Sequence, residues 1–293
     1  MFDKIKRVAL QKARHVFYLP WAVFSKQEVK PAQEIQMDVV IPVIESDLGI
    51  LPLCIEGIKK NISHSIKNIY LVSPNSDAIK NFAAAHGLVF TDETSFFGYT
   101  PAGINYILTK GPYKGVNRSG WIYQQLIKLS GKVGDSRYYI TMDADHILLK
   151  PHTFITENGK FVFYMSTEYH MPYYKKIKQL LSFYPFTMFS YVSHKMVFDK
   201  EELKKLQLAI EKNSSIGESW DKVILSKLDT DEVSCFSEFE LYGNFIGSAK
   251  KVLLPWEEKV IKGETEATYE GLKMRYPNKL SVTIPHYLRN KKP

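Results

Sequence analysis

Few features of this 293-residue sequence are those of an exported or membrane-spanning chain. There are only two cysteines, Cys54 and Cys235, which lie too far apart to match a metal-ligand spacing and fit a reducing compartment. No run approaches the roughly 20 apolar residues of a spanning helix, and the basic start is not followed by an apolar stretch with a cleavage site. We therefore expect a cytoplasmic protein, soluble or peripheral to a membrane.

Repeats and low-complexity linkers are also missing, while 45% of the residues are hydrophobic and 13% are aromatic, enough for a large core. The formal net charge is +8. About half of that excess lies in the first 37 residues, which hold seven Lys and Arg against three acids. This distribution predicts a basic arm at residues 1–36 and a single domain at residues 37–293.

Within the arm, apolar residues recur at helical spacing while most basic residues lie elsewhere on the helical wheel. The pattern predicts an amphipathic helix that ends at Leu19-Pro20-Trp21. Such a helix suits an anionic membrane surface, with Trp21 and Phe24 near the headgroups. The alternative is a helix packed on the domain with a solvated basic face. The apolar residues of the pattern are Phe2, Ile5, Ala9, Ala13, Val16 and Phe17.

From Met37 onward, short β-branched runs alternate with helical patterns, which predicts an α/β fold with a mostly parallel central sheet flanked by helices. Strands are expected at MDVVIPV, NIYLVSP and LVFTDE, in RYYITM, and later in KKVLLP and LSVTIPHYL. Helices are expected at about 50–62, 76–86, 119–131 (with Ser119 as a possible cap), 199–212 and 221–228. The segment SEFELYGNF reads as an extended stretch.

The sharpest local signal is Asp143-Ala144-Asp145, which follows a buried strand. Ligands of open α/β sheets bind at the carboxyl ends of the strands. Two carboxylates at such an end suit Mn²⁺ or Mg²⁺, which would neutralise a diphosphate. The alternative is a capped turn with two solvated acids.

The runs DVVIPV, NIYLVSP, GWIYQQLIKL and YYITMDADHILLKP together resemble bacterial GT-A-type glycosyltransferases encoded with surface-polysaccharide genes. The resemblance covers most of residues 37–290. It implies a GT-A-like (Rossmann-like) catalytic domain, a nucleotide-sugar donor, with a UDP-sugar the first expectation, and a saccharide or lipid-linked acceptor. It also implies a role in polysaccharide or lipopolysaccharide synthesis.

The same resemblance assigns site residues. Pro42 and Val43 would contact the base and ribose, with Ser73 nearby. Asp143 and Asp145 would hold the metal and diphosphate, and His286 would complete the metal site; the alternative for His286 is a hydrogen-bonded edge histidine. His146 is expected to point away from the acidic pair.

Two further sets of polar residues are candidates for the site. Gln124 and Lys128 lie four apart and share a helix face, and Lys128 would pair with phosphate or with the acidic pair. Glu238 and Glu240 alternate with apolar neighbours and would share one face of an extended backbone. Related enzymes place an acid of this region near the reacting sugar, so Glu238 is the first choice for the catalytic carboxylate and Glu240 the second. Solvated surface positions are the alternative for each set.

Two other functions deserve comparison. A sugar-phosphate nucleotidyltransferase would carry a glycine-rich basic loop after the first strand, whereas PVIESDLGILP is acidic and almost without glycine. A non-enzymatic basic protein that binds anionic lipid or nucleic acid would account for the net charge. No helix-turn-helix, zinc or RNP-type motif is present, so we do not expect nucleic acid as a partner.

Overall fold

The structure is a computed structural model that describes residues 2–186, 188–262 and 267–285, with side chains from residue 12 onward. A central sheet has the strand order β3-β2-β1-β4-β7. The first four of these strands run parallel, and β7 is antiparallel to β4. The strands are β1 (Gln36–Pro42), β2 (Ser65–Ser73), β3 (Val89–Asp92), β4 (Tyr138–Met142) and β7 (Lys195–Asp199).

Helices flank this sheet and connect its strands, so the predicted α/β class with a mostly parallel central sheet is confirmed. The main helices are α1 (Phe2–Phe24), α2 (Leu51–Asn61), α3 (Asp77–Ala85), α4 (Ser119–Ser130), α5 (Met171–Leu181), α6 (Lys200–Lys212), α7 (Trp220–Ser226), α8 (Glu238–Phe245) and α9 (Tyr269–Arg275). Among the described residues, no helix is both long and apolar enough to cross a membrane.

Two small sheets complete the architecture. Strands β5 (His146–Leu148), β10 (Ser281–Thr283) and β9 (Glu258–Val260) form one, and β6 (Phe161–Met165) and β8 (Lys251–Pro255) form the other. Helix α2 lies on β5 through Gly57, where an added Cβ would come within 2.8 Å of the Leu148 backbone. This close approach fixes the strand that leaves the acidic turn after β4.

Most of the core is one apolar cluster, in which buried Tyr18 of α1 packs with strands β1, β2 and β4, and a smaller cluster lies around β5, β10 and α9. The described second half of α1 therefore lies against the rest of the protein. Whether residues 1–36 form a unit separate from 37–293 stays a prediction.

Three local expectations were wrong. Helix α1 continues through Pro20 to Phe24, since Tyr18 and Trp21 are held by packing on Phe189. Residue Ser119 lies inside α4 and its hydroxyl donates to the Ile104 carbonyl, so it is not the cap.

The segment expected to be extended is helix α8, capped by the Ser237 hydroxyl, which accepts from the Glu240 backbone. Residues two apart on a helix point in different directions, so Glu238 and Glu240 do not share a face.

Candidate active site

A cleft of about 530 Å³ lies at the carboxyl ends of β1 and β4. This is the sheet edge at which α/β proteins bind ligands, and the volume suits a small molecule. The cleft walls come from the ends of β1 and β4, helix α4, the segments before α5 and β7, and the start of α8. The charged residues that line it are Asp47, Arg118, Lys128, Asp143, Asp145, Glu168, His194 and Glu238.

At the centre, the Lys128 ammonium lies 2.7 Å from Asp143 Oδ1 and 2.8 Å from Glu238 Oε1. Its side chain is only 7% exposed. Burial by itself lowers the pKa of Lys128, but attraction to Asp143 and Glu238 outweighs burial and raises it above the ordinary value. One buried cation therefore joins the acidic turn after β4 to the first residue of α8.

The second partner of Asp143 is His194, whose Nδ1 lies 2.9 Å from Asp143 Oδ2. Antiparallel pairing places Met142 opposite Lys195. The next residues along, Asp143 and His194, therefore lie side by side, and the Asp143 N–H donates to the His194 carbonyl at 3.0 Å. Residue His194 has φ +58°, a left-handed conformation that is unfavourable outside glycine and is often found at functional sites.

Asp143 and His194 stabilise each other's charged forms. Burial disfavours a charged imidazole, yet Glu258, Asp143 and Asp145 together raise the pKa of His194 to about 9. Burial also raises the pKa of Asp143, but Lys128 and His194 outweigh that and hold it well below its usual range. The Asp143 carboxylate is thus ionised between two cations at neutral pH.

Behind His194, a fully buried layer of polar groups closes the site. Glu258 Oε1 lies 3.9 Å from His194 Nε2, and the Thr283 hydroxyl donates to that same Glu258 oxygen. The Lys195 ammonium contacts His146 Nε2 at 3.1 Å, and burial lowers the pKa of Lys195 to about 8. His146 points into this layer and not into the cleft, as the sequence predicted.

The implied divalent metal can be tested against these groups. Both oxygens of Asp143 already contact a cation, and no group of three His, Cys, Asp or Glu side chains suited to a metal occurs in the described part of the chain. The cleft nevertheless carries five carboxylates against three cations, and Asp145 lines it as well. This fits a largely hydrated Mg²⁺ or Mn²⁺ held by one or two carboxylates and shared with substrate phosphates, and it does not fit an all-protein cage.

The structure brings together six of the residues predicted for the site: Pro42, Gln124, Lys128, Asp143, Asp145 and Glu238 line the cleft. Val43 and Ser73 do not, because both side chains are buried in the sheet and Ser73 donates to the Pro74 carbonyl. His286 lies outside the described residues. The individual roles of these residues stay predictions.

The second-choice carboxylate, Glu240, lies away from the cleft and is completely buried. Its Oε1 accepts from the Ser190 hydroxyl, the Tyr191 backbone and, at 3.4 Å, the Tyr174 hydroxyl. Burial raises the pKa of Glu240 to about 8, although these hydrogen bonds oppose the rise. The placement of Glu240 is that of a core carboxyl group.

Sequence reasoning missed two charged cleft residues, Arg118 and Glu168. Arg118 lies over the Trp121 ring at 4.2 Å, and both line the cleft. Glu168, on the segment between β6 and α5, exposes its carboxylate to the cleft, where it has no hydrogen-bond or ion-pair partner among the described residues. Only tertiary contacts single out Glu168, although the RSGW run before α4 could have indicated Arg118.

Comparison with known proteins places the chain in a family. The family model described as "Family of unknown function (DUF6492)" matches residues 36–268. The chain belongs to this family. No curated protein matches the DUF6492 chain.

Among solved structures, the DUF6492 chain is similar to a crystal structure of an active-site mutant of LgtC. The likeness covers 84% of this chain and 86% of that one, at a TM-score of 0.42 and 12% sequence identity.

Proposed function

We propose that this protein is a glycosyltransferase that moves a sugar from a nucleotide-sugar donor to a hydroxyl group of a saccharide or lipid-linked acceptor. The observation that carries the proposal is the Asp143-Lys128-Glu238 contact group at the carboxyl edge of the parallel sheet, beside Asp145 and His194. A role in surface-polysaccharide or lipopolysaccharide synthesis follows from the sequence resemblance.

The donor side of the cleft lies where β1 and β4 end. Pro42 would meet the nucleoside, with the diphosphate near Asp143 and Asp145. When bound, Mn²⁺ or Mg²⁺ would stabilise the charge that develops on the leaving diphosphate. Protonated His194, Lys128 and Arg118 supply positive charge from the chain itself, and the two carboxylates that hold His194 and Lys128 fix their positions.

The acceptor side has two carboxylates, and they differ in availability. Glu238 is held at 2.8 Å by the Lys128 ammonium, whereas the Glu168 carboxylate has no such partner in the described chain. Glu168 is an exposed residue, and the part of its hydration that neighbouring groups remove raises the pKa of its carboxyl group, against the opposing influence of His194. A carboxylate of this kind is the better proton acceptor, so we assign that role to Glu168 in place of Glu238.

In an inverting transfer, the acceptor hydroxyl gives its proton to Glu168 while its oxygen bonds to the anomeric carbon. The bond between that carbon and the diphosphate oxygen breaks, and its electron pair leaves with the nucleoside diphosphate. Lys128 and Glu238 then act by holding Asp143 in position.

The donor class is tested with thermal shifts and hydrolysis of UDP-, GDP-, CMP- and dTDP-sugars, each with and without Mn²⁺ or Mg²⁺. We expect one nucleotide family to stabilise the wild type in a metal-dependent manner and to lose this effect in Asp145→Ala. If no nucleotide shifts the melting temperature with any metal, the glycosyltransferase proposal is wrong.

The proton acceptor is tested with Glu168→Gln. We expect kcat to fall about 100-fold or more, because this is the usual contribution of a general base, while the donor-induced thermal shift stays unchanged. The matched control is Glu93→Gln, which changes a half-buried carboxyl group with a raised pKa outside the cleft. A Glu168→Gln variant that turns over normally would transfer the role back to Glu238.

A further inference from the structure

The described half of helix α1 has two faces with opposite surroundings. The inner face is anchored: the Tyr18 hydroxyl donates to the Met165 carbonyl at 2.9 Å, and Trp21 packs on Phe189 at 4.4 Å between ring centroids. The Arg14 guanidinium lies 3.3 Å from the centroid of the Tyr169 ring. These contacts fix how the helix is rotated about its own axis.

The outer face exposes large apolar side chains to solvent. Phe17 is 61% exposed and Phe24 is 86% exposed, and Val16, Leu19 and Val23 are also exposed. At 100° per residue, Val16 and Val23 lie opposite Tyr18, with Leu19, Phe17 and Phe24 on either side of them. Exposed apolar residues concentrated on one face of one helix indicate a surface that is covered by another partner.

The apolar surface extends beyond the helix. Phe186 is half exposed, and its ring lies 6.5 Å from Phe189, the residue on which α1 packs. Met188 is exposed nearby in sequence. The outer face of α1, together with Phe186 and Met188, is called the α1 surface below.

The positive charge of this region favours a negatively charged partner. Helix α1 carries five Lys and Arg residues (Lys4, Lys6, Arg7, Lys12, Arg14) against one acid, Asp3. Just after the helix the charges balance, because Lys26 pairs with Glu257 and exposed Glu28 offsets exposed Lys30. A second copy of the chain would bring two such basic helices together and would be repelled. A surface of anionic headgroups attracts the basic residues and buries the apolar ones, as in helices that lie in the plane of a membrane.

We propose that the α1 surface docks on membranes containing anionic phospholipids, with Phe17 and Phe24 entering the boundary between headgroups and acyl chains. The helix lies on the membrane and stays attached to the domain through Tyr18 and Trp21. Docking of this kind does not depend on any transfer activity, so the two proposals can fail separately.

The experiment is co-sedimentation of the full chain with vesicles of phosphatidylcholine alone or mixed with phosphatidylglycerol. We expect binding to the mixed vesicles that weakens as salt rises, and weak binding to phosphatidylcholine alone. Phe17→Ser with Phe24→Ser should weaken binding about tenfold or more, since the burial of two aromatic side chains is lost.

The matched control is Leu208→Ser with Met274→Ser, which removes two exposed apolar side chains from α6 and α9. This variant should bind as the wild type does, and both double variants should keep the wild-type melting temperature because the changed residues are exposed. Equal binding to vesicles with and without phosphatidylglycerol would overturn the proposal. So would a wild-type dimer in solution that the Phe17/Phe24 variant converts to a monomer.

Discussion

Two glutamates separated by one residue on helix α8 have opposite environments. Glu238 faces the cleft, where the Lys128 ammonium lies 2.8 Å away and Asp143 completes the group. Glu240 faces the core, where its partners are the hydroxyls of Ser190 and Tyr174, the Tyr191 backbone and the Asn244 amide. Neither carboxyl group is exposed to bulk water.

The difference shows what sets the charge of a buried acid. In the cleft, Lys128 and His194 stabilise the charged form of Asp143, so burial does not neutralise that carboxylate. The hydrogen-bond partners of Glu240 in the described chain are neutral groups that do not fully compensate for lost hydration, and the pKa of the carboxyl group rises to about 8. The cleft therefore holds fixed charges that suit a phosphate-containing ligand, while the core holds a protonated acid at neutral pH.

The largest expected loss of stability comes from the removal of Lys128, the cation beside Glu238. We expect Lys128→Met to destabilise the protein by about 3 kcal/mol, because it leaves the buried Glu238 carboxylate without its cation, while the half-buried Asp143 keeps His194. Urea unfolding at neutral pH measures this change. In Lys128→Met with Glu238→Gln, part of the stability should return, since one uncompensated charge is gone.

The control is Lys205→Met. The exposed Lys205 ammonium pairs with Glu202, and loss of this ion pair should not change the free energy of unfolding measurably. A loss below about 1 kcal/mol in Lys128→Met would mean that the cleft charges are hydrated and that the contrast with Glu240 is much smaller.

Glu240 should also make the stability of the protein depend on pH. In the folded state Glu240 keeps its proton up to about pH 8, whereas an unfolded glutamate loses it near pH 4.5. The native state binds more protons between these values, so this group contributes a loss of stability as pH rises from about 4.5 to 8.

Glu240→Gln has no proton to lose, and its amide oxygen can still accept from Ser190. We expect the variant to be more stable than the wild type by about 3 kcal/mol at pH 9, with the difference shrinking towards pH 5. Denaturant unfolding of both proteins at several pH values measures the difference. Because the other titrating groups are the same in both proteins, their contributions cancel. A difference that does not vary with pH would show that Glu240 is ionised.

The smallest expected effect comes from a single hydrogen bond. Ser190→Ala removes the hydroxyl that donates to Glu240 and should cost about 1 to 2 kcal/mol near neutral pH. It should also move the pH-dependent loss of stability to higher pH, because that hydrogen bond favours the ionised form. Parallel unfolding curves of Ser190→Ala and the wild type test both points, and an unchanged pH dependence would argue against the assignment of Ser190 as a partner of the carboxylate.

Much of the fold was predictable because its signals are local. The buried runs that became β1, β2 and β4 and the helices between them follow from β-branched runs, helical periodicity and turn residues. The prediction for the segment that forms α8 was wrong because EFEL alternates polar and apolar residues, a pattern typical of strands. Its Ser237 cap and the buried partners on both sides decided for a helix.

The site was predictable only in part. The strand end that carries Asp143 and Asp145 identified the cleft. Two partners were expected for Lys128, phosphate or the acidic pair, and the structure shows a contact with Asp143. The contact of His194 with Asp143 could not be predicted, because 51 residues separate them and only the antiparallel addition of β7 brings them together. Glu168 has no local sequence signal and is identified only by its place in the cleft.

The sequence by itself determined the α/β class, the acidic turn after β4 and the basic, amphipathic character of α1, since each depends on residues close together in the chain. The tertiary structure decided which carboxyl groups are charged, which face of α1 is exposed, and which acids line the cleft. Those properties depend on hydration and on distances between residues far apart in sequence, which are fixed only when the elements pack.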